Sequence, residues 1–284
     1  MKVLVTGVTG QLGYDVVREL KERGHIPFGV SSNTMDITDY SMVEKVMQEE
    51  KPEAVIHCAA YTAVDEAEEN VELCRSVNAK GTENIAKICK DFDIKMIYIS
   101  TDYVFSGEGQ KSWCPEDVAH PLNTYGMTKY EGELAVQKFL DKYFIVRISW
   151  VFGINGKNFV KTMLRLGKTN GTVNVVNDQV GSPTYTYDLS KLLCDMLVTE
   201  EYGIYHATNE GMCSWYEFAC EIFKVAGLDV KVHPVDSNAF PSIAKRPHNS
   251  RMNTDKLESY GFNRLPDWKD ALARYIDSLE KEQK

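Results

Sequence analysis

The feature that most constrains this chain is the order of its first thirty residues. An apolar run, Lys2–Thr6, leads into Gly7-Val-Thr-Gly10-Gln-Leu-Gly13, after which Gln11–Arg23 sets Leu12, Val16, Val17 and Leu20 at helical spacing. Gly24 closes that helix, and Ile26–Val30 follows as a second strand. Strand, helix, strand with so short a turn is a βαβ unit, whose strands lie parallel with the helix across one face. The alternation then continues: helix Tyr40–Glu49 ahead of Pro52, strand Ala54–Cys58, helix Cys74–Lys90, strand Lys95–Ser100, helix Tyr125–Phe139, strand Phe144–Ser149. Strands that are apolar throughout are buried on both faces, so the fold class is α/β, a doubly wound parallel sheet with helices on both sides.

The second half is less regular. Asn158–Leu166 reads as a helix, Gly203–Ala207 as a strand, and Ser214 caps a helix with Glu217 at capping-box spacing. Residues 228–252 are rich in Pro, Ser, Asn and basic side chains, and a last helix runs through Trp268–Leu279. This suggests a smaller lobe, with no internal repeat. Composition sets the partners: a net charge of −9 over 284 residues disfavours nucleic acid and anionic membrane. No apolar run reaches the roughly 20 residues that span a bilayer, and Thr6, Gly7 and Gly10 interrupt any signal-peptide core. Seven cysteines without a compact pattern point to free thiols in a reducing, cytoplasmic setting.

The glycine turn carries the first chemistry. Its GxxGxxG spacing allows a tight turn, close approach of backbone N–H groups to a pyrophosphate, and close helix–strand packing, the demands of a Rossmann-type dinucleotide site. The second strand ends Val30-Ser31-Ser32-Asn33, without the carboxylate that would hold a ribose 2′-hydroxyl and without an Arg for a 2′-phosphate. NADPH and NADH both stay open. Asp36-Ile37 either borders the adenine or caps the next segment. The second chemistry is Thr101 at a strand end together with Tyr125-Gly-Met-Thr-Lys129, whose i, i+4 spacing puts phenol and ammonium on one helix face. A neighbouring Lys cation, together with a nicotinamide cation, is expected to lower the phenol from its ordinary value near 10 and ready it for proton transfer.

Together with GVTGQLG at 7–13, AAYTAVDEAE at 59–68, VNAKGTENIA at 77–86, STDYVFSG at 100–107, PLNTYGMTKYEGE at 121–133, RISWVFG at 147–153, DQVGSPTYTYDL at 178–189 and KRPHNSRMNTDKL at 245–257, these motifs make the chain resemble the dTDP-4-dehydrorhamnose reductases of the extended short-chain dehydrogenase/reductase family. The resemblance implies reduction of the sugar C4 keto group by hydride from NADPH or NADH, within dTDP-rhamnose and polysaccharide biosynthesis. It implies Tyr125 as proton donor, Lys129 tuning Tyr125 and holding the nicotinamide ribose, and Thr101 polarising the carbonyl. Cofactor contacts are expected from Gly7, Thr9, Gly10, Gln11, Leu12, Gly13, Ser31, Asp36, Ile37, Ala59, Ala60, Tyr61 and Asn78, besides Tyr125 and Lys129. Asp102, Tyr103, Trp150 and Arg251 are the expected substrate residues, the last within a basic cluster with Lys245, Arg246 and His248 suited to a nucleoside diphosphate. The expected domains are an NAD(P)-binding domain over 1–153, rejoined by segments near 171–208, and a substrate lobe from 154–170 and 209–284.

Asp102-Tyr103 stands where water-eliminating relatives carry an acid–base Asp-Glu pair, which favours simple reduction. His57 and Cys58 lack metal-ligand spacing and read as packing. Some family members bind Mg²⁺ at a dimer contact, and Asp15 is the candidate position for it here; no metal is assigned, and a homodimer stays open. Two competing functions are a dinucleotide-binding regulatory subunit, similar to that of methionine adenosyltransferase, and a sugar-nucleotide epimerase with tightly held NAD.

Overall fold

The computed structural model describes residues 1–282. Its centre is a six-stranded sheet built from β1 (Lys2–Thr6), β2 (Ile26–Val30), β3 (Ala54–His57), β4 (Lys95–Thr101), β5 (Tyr143–Ile148) and β6 (Gly203–His206). Every pairing is parallel, in the spatial order β6-β5-β4-β3-β1-β2. The helices that matter to the site are α1 (Gln11–Glu22), α2 (Tyr40–Glu50), α3 (Thr82–Asp91), α4 (Thr124–Phe139), α5 (Thr186–Leu197), α6 (Trp215–Val225) and α7 (Trp268–Glu282).

Alternation along β1 shows how both faces are filled. Val3 and Val5 pack with Leu12, Val16 and Leu20 of α1 and Leu189 and Leu193 of α5, whereas Leu4 packs with Val43 of α2, Ile85 and Ile88 of α3 and Val136 of α4. This two-sided burial is why the strands read as unbroken apolar runs. The chain steps from β1 outward to β2, then crosses back to place β3 on the other side of β1. Such a reversal opens a crevice at the carboxyl ends of β1 and β3, where doubly wound sheets bind ligands.

The structure departs from the sequence reading in three places. The expected helix Cys74–Lys90 is helical throughout but changes its winding: Val71–Arg75 runs into a π-helical stretch, Ser76–Gly81, which runs into α3. A further short helix, Val64–Glu69, precedes it. Residues Thr172–Val176, expected to rejoin the large sheet, instead pair in parallel with Lys231–Val235 in the smaller lobe, so the chain returns only at α5 and β6. Conversely Leu257, Phe262 and Leu265, expected in the lobe, pack into the core beneath the large sheet beside Tyr205. Loops that supply a few apolar side chains to a distant core carry no periodicity to announce it.

The smaller lobe has its own aromatic core, in which Phe152 stacks on Tyr185 at 5.3 Å and meets Tyr275 edge-on at 5.2 Å. Ser214 and Glu217 form the expected capping box at the start of α6. Among the described residues no helix is long and apolar enough to cross a membrane. All seven cysteines are free thiols.

Candidate active site

One cavity of about 650 Å³ opens at the switch point, a size ordinary for a small-molecule or cofactor site. One end is the glycine turn. Gly7 sits at φ +69°, and a Cβ there would lie 2.8 Å from the Ala59 nitrogen; at Gly13 it would lie 2.4 Å from the Gly7 carbonyl oxygen. Only hydrogen fits at either position, which brings the backbone of the turn close to the cavity. Gly10 caps α1 without any side-chain acceptor, and the first turn of α1 holds no acidic residue. The N–H groups there are unclaimed by side chains, a chemistry that suits a pyrophosphate. Thr9, Gln11, Leu12, Ser31, Ile37, Ala59 and Ala60 line the same cavity. Asp36 lines the cavity, and its Oδ1 accepts from Thr38 N at 2.9 Å and Thr38 Oγ1 at 2.8 Å in a local turn; the cap of α2 is Asp39, whose Oδ1 accepts from Met42 N at 3.1 Å.

Tyr61 and Asn78 are absent from the lining. They clamp each other instead: Tyr61 N donates to Asn78 Oδ1 at 2.8 Å, and Asn78 Nδ2 donates to the Tyr61 carbonyl at 3.1 Å. The π-helical stretch is what aims Asn78 at that loop, holding Ala59 and Ala60 against the cavity. His57 completes the support. Thr82 Oγ1 donates to Asn78 O at 2.6 Å, so it must accept from His57 Nε2 at 3.1 Å; Nδ1 is then the acceptor for Thr6 Oγ1 at 2.7 Å. Thr6 Oγ1 in turn accepts the Ala59 N–H at 3.0 Å. Full burial holds the imidazole neutral, lowering its pKa to about 3. His57 thus ties β1, β3 and α3 together by hydrogen bonds as well as by packing.

The other end of the cavity carries Thr101, Asp102, Tyr103, Tyr125, Lys129 and Trp150. Asn123 caps α4 through Gly126 N at 2.8 Å, which starts the helix so that Tyr125 and Lys129 face the end of β4. The Lys129 ammonium donates to the Ile99 carbonyl at 2.7 Å and lies 4.1 Å from the Tyr98 ring centroid. Thr101 Oγ1 donates to Asp102 Oδ1 at 3.0 Å and accepts from Tyr103 N at 3.2 Å. The expected lowering of Tyr125 is not found. In the protein alone, burial pushes its phenol above the ordinary range, with the nearby Thr101 hydroxyl pulling the other way, and burial lowers Lys129 to about 7. Removing water costs the phenolate and the ammonium alike, and burial is the largest influence on each. Asp102 is raised to about 6 by the same cause.

Trp150 lines the cavity with its backbone in the left-handed region, φ +49°, and its indole stacks on Trp215 at 3.7 Å and 14°. Left-handed backbone is uncommon for a bulky residue and marks a position held by its surroundings. The basic cluster does not act together. Arg251 lies outside the cavity lining, with its Nη1 on Asn249 Oδ1 at 3.0 Å, and His248 faces solvent beside Asp178. Arg246 also lies outside the lining, but it touches a lining residue, 3.4 Å from the Tyr103 hydroxyl, and is 2.6 Å from Asp65. Asp15 is buried and accepts from Thr186 Oγ1 at 2.5 Å, so it is not a surface ligand for a shared metal. Among the described residues no group of three or more metal-binding side chains forms.

The sequence reading missed the loop after Phe152. Asn155 Nδ2 donates to the Thr9 carbonyl at 2.8 Å, Asn158 Nδ2 donates to Gln11 Oε1 at 2.9 Å, and Lys157 brings a cation to the cavity beside the glycine turn. A loop some 150 positions away carries no local signal for that contact.

The geometry agrees with comparisons to known proteins. The chain is 37% identical to the dTDP-4-dehydrorhamnose reductase of Escherichia coli (strain K12), over 98% of each chain. It is 34% identical to the dTDP-4-keto-6-deoxy-D-glucose reductase of Streptomyces niveus, over 99% of this chain and 98% of that one. The crystal structure of dTDP-4-dehydrorhamnose reductase from Bacillus anthracis str. Ames in complex with NADP is 42% identical, with a TM-score of 0.95 and 98% of this chain and 99% of that one covered. The family model for the RmlD substrate binding domain matches residues 1–281, and the chain belongs to that family.

Proposed function

We propose that this chain reduces the C4 keto group of dTDP-4-dehydro-L-rhamnose to dTDP-L-rhamnose, using hydride from NADPH or NADH. The observation that carries this reading is a single cavity with a glycine cradle at one end and Thr101, Tyr125 and Lys129 at the other. The cradle fits a dinucleotide because the positions of Gly7 and Gly13 have no room for a side chain. The bound nicotinamide would supply the hydride. Tyr125 then serves as the proton donor to the C4 oxygen, a role its raised pKa suits, since the phenol keeps its proton at neutral pH. Thr101 would turn its hydroxyl from Asp102 to the same oxygen, and Lys129 would orient the ribose of the cofactor. Trp150 and Tyr103 form the sugar side, and Arg246, in contact with Tyr103, is better placed for the diphosphate than Arg251. In this reading the large sheet with α5 and β6 is the cofactor domain, and the lobe around Phe152 and α6 covers the sugar nucleotide.

The test is loss of reduced-nicotinamide absorbance with the dTDP sugar, using NADPH and NADH separately. Turnover is expected with either, and Tyr125→Phe is expected to lose roughly 10²–10⁴-fold in kcat while still binding NADPH. An unchanged Tyr125→Phe rate would remove Tyr125 as the acid. Cofactor binding without consumption on any 4-keto sugar nucleotide would favour a regulatory subunit, and catalysis without added dinucleotide an epimerase. The likeness to the Streptomyces niveus enzyme makes dTDP-4-keto-6-deoxy-D-glucose the second substrate to supply, and a preference for it would revise the sugar configuration.

A further inference from the structure

Three side chains at successive turns of α4, Tyr125, Lys129 and Glu133, face the end of β4. The first two belong to the reaction proposed above. Glu133 does not line the cavity, yet it is wholly buried and its carboxylate is fully engaged. It accepts from Ser100 Oγ at 2.5 Å, from Arg147 Nε at 2.8 Å and from Arg147 Nη2 at 2.7 Å. Arg147, on β5, is buried too, donates to the Pro115 carbonyl at 3.1 Å and lies 5.0 Å from the Phe105 ring centroid. Ser100 sits next to Thr101 on β4, so the carboxylate joins α4, β4 and β5 directly behind the reacting groups.

Burying a carboxylate is costly, and apolar packing would tie these elements together as well. What an anion adds here is its charge. The ammonium of Lys129 is faced by Cys58 after β3, by Cys74 of Val71–Arg75, by the Tyr98 ring of β4, and by Tyr125 and Glu133 of its own helix, with His57 close by. Burial raises both thiols and both phenols and keeps His57 uncharged. Among these neighbours, within the described residues, Glu133 is therefore the one carboxylate, and it shares its field with the Arg147 guanidinium it binds. Spacing of four places its Cβ roughly 5–6 Å from that of Lys129.

We propose that Glu133, held by Arg147 and Ser100, is a positioning residue that sets the electrostatic surroundings of Lys129 and keeps its turn of α4 seated on the end of β4. This rests on Lys129 acting in the reaction. The balance of charges agrees: burial pulls the ammonium down, and Glu133 is the largest influence opposing it.

The experiment compares Glu133→Gln, which keeps the shape and drops the charge, with Glu133→Asp, which keeps the charge and shortens the arm. The titration of Lys129 is read directly by NMR of Cε-labelled lysine in the protein without cofactor, with the signal assigned by its loss in Lys129→Arg. Glu133→Gln is expected to weaken proton affinity at Lys129 about tenfold, moving the titration down by about one pH unit. The alkaline limb of the kcat/KM profile should move with it. Glu133→Asp is expected to stay nearer the wild-type titration. A role in packing alone predicts the reverse order, with the isosteric Gln tolerated and the shorter Asp damaging. Should Glu133→Gln leave Arg147 too poorly balanced to fold, the double variant Glu133→Gln, Arg147→Met removes both charges, and an acid shift smaller than that of the single variant is expected, because the repulsion from Arg147 is lost as well. A wild-type titration in Glu133→Gln, or in the double variant a shift toward higher pH, overturns the proposal. Absence of reductase turnover in the wild-type protein overturns the proposed function instead, and the NMR titration still decides the charge of Lys129.

Discussion

Replacing Asp102 by Asn is expected to stabilise the fold at neutral pH while impairing the reaction. The Asp102 side chain is 3% exposed; its Oδ1 accepts the Thr101 hydroxyl, whereas its Oδ2 has no hydrogen-bond partner. Ser250 Oγ, close to it, is also buried without a partner. Burial raises the carboxyl from 3.8 to about 6. The unfolded chain titrates at the ordinary value, so between roughly pH 4 and 6 the native state holds a proton that the unfolded state has lost. Stability from this group is complete below about pH 4 and is lost as pH rises through about 6. Above that, the ionised side chain costs up to about 3 kcal/mol, at 1.36 kcal/mol per pH unit. Asn never ionises, so any offset from its own polar atoms is independent of pH. Urea unfolding of both proteins at pH 4.5 and pH 8 should show their stability difference growing by about 2 kcal/mol in favour of Asn. A difference that stays constant with pH, or one that moves toward Asp, would refute the burial argument.

Two glycines give further tests. Gly13→Ala places a methyl 2.4 Å from the Gly7 carbonyl oxygen, so α1 must retreat from the turn. A destabilisation of about 1–3 kcal/mol in thermal or urea melts is expected, with weakened NADPH binding by fluorescence titration; wild-type affinity would show that the cradle is not the cofactor site. Gly181→Ala places a methyl 2.9 Å from Trp150 Cε2 and 2.8 Å from Ser250 Cβ. The indole should be displaced from Trp215, changing the near-ultraviolet dichroism and raising KM for the sugar nucleotide about tenfold with KM for NADPH unchanged. An altered spectrum with an unaltered sugar KM would remove Trp150 from the substrate side.

What could be read from sequence was what local repetition encodes. The strands through Ile148 and the glycine cradle show themselves within windows of seven to twenty residues, and Tyr125 with Lys129 shows itself in one turn of helix. Electrostatics did not follow from spacing, because burial is a property of the whole fold: four residues of separation said that phenol and ammonium are neighbours, not that both lose their water. Asn78 looked like a helix residue on the cavity wall, yet the π-helical stretch directs it to the Tyr61 backbone. In the segment from Lys245 to Arg251 no period tells inward side chains from outward ones, and Arg246 meets the cavity-lining Tyr103 while Arg251 turns to Asn249. Glu133 was legible as a residue, one turn beyond Lys129, but its meaning depends on Arg147 and Ser100, which arrive from two other strands.

The return of the chain to β6 bears on how this protein is made. While the ribosome is synthesising residue 150, β5 has been made with its Phe144, Ile145 and Val146 but lacks the strand that covers its outer edge, and α1 lacks α5. An open parallel edge beside an uncovered apolar face invites pairing with other chains. Some 55 more residues must follow, an interval of about 3–10 s at 5–20 residues per second, before β6 can close the sheet. The nascent chain therefore passes through a window in which it depends on chaperones or on speed. Synonymous codons that slow translation between Trp150 and His206 should lower soluble yield with no change in the finished protein.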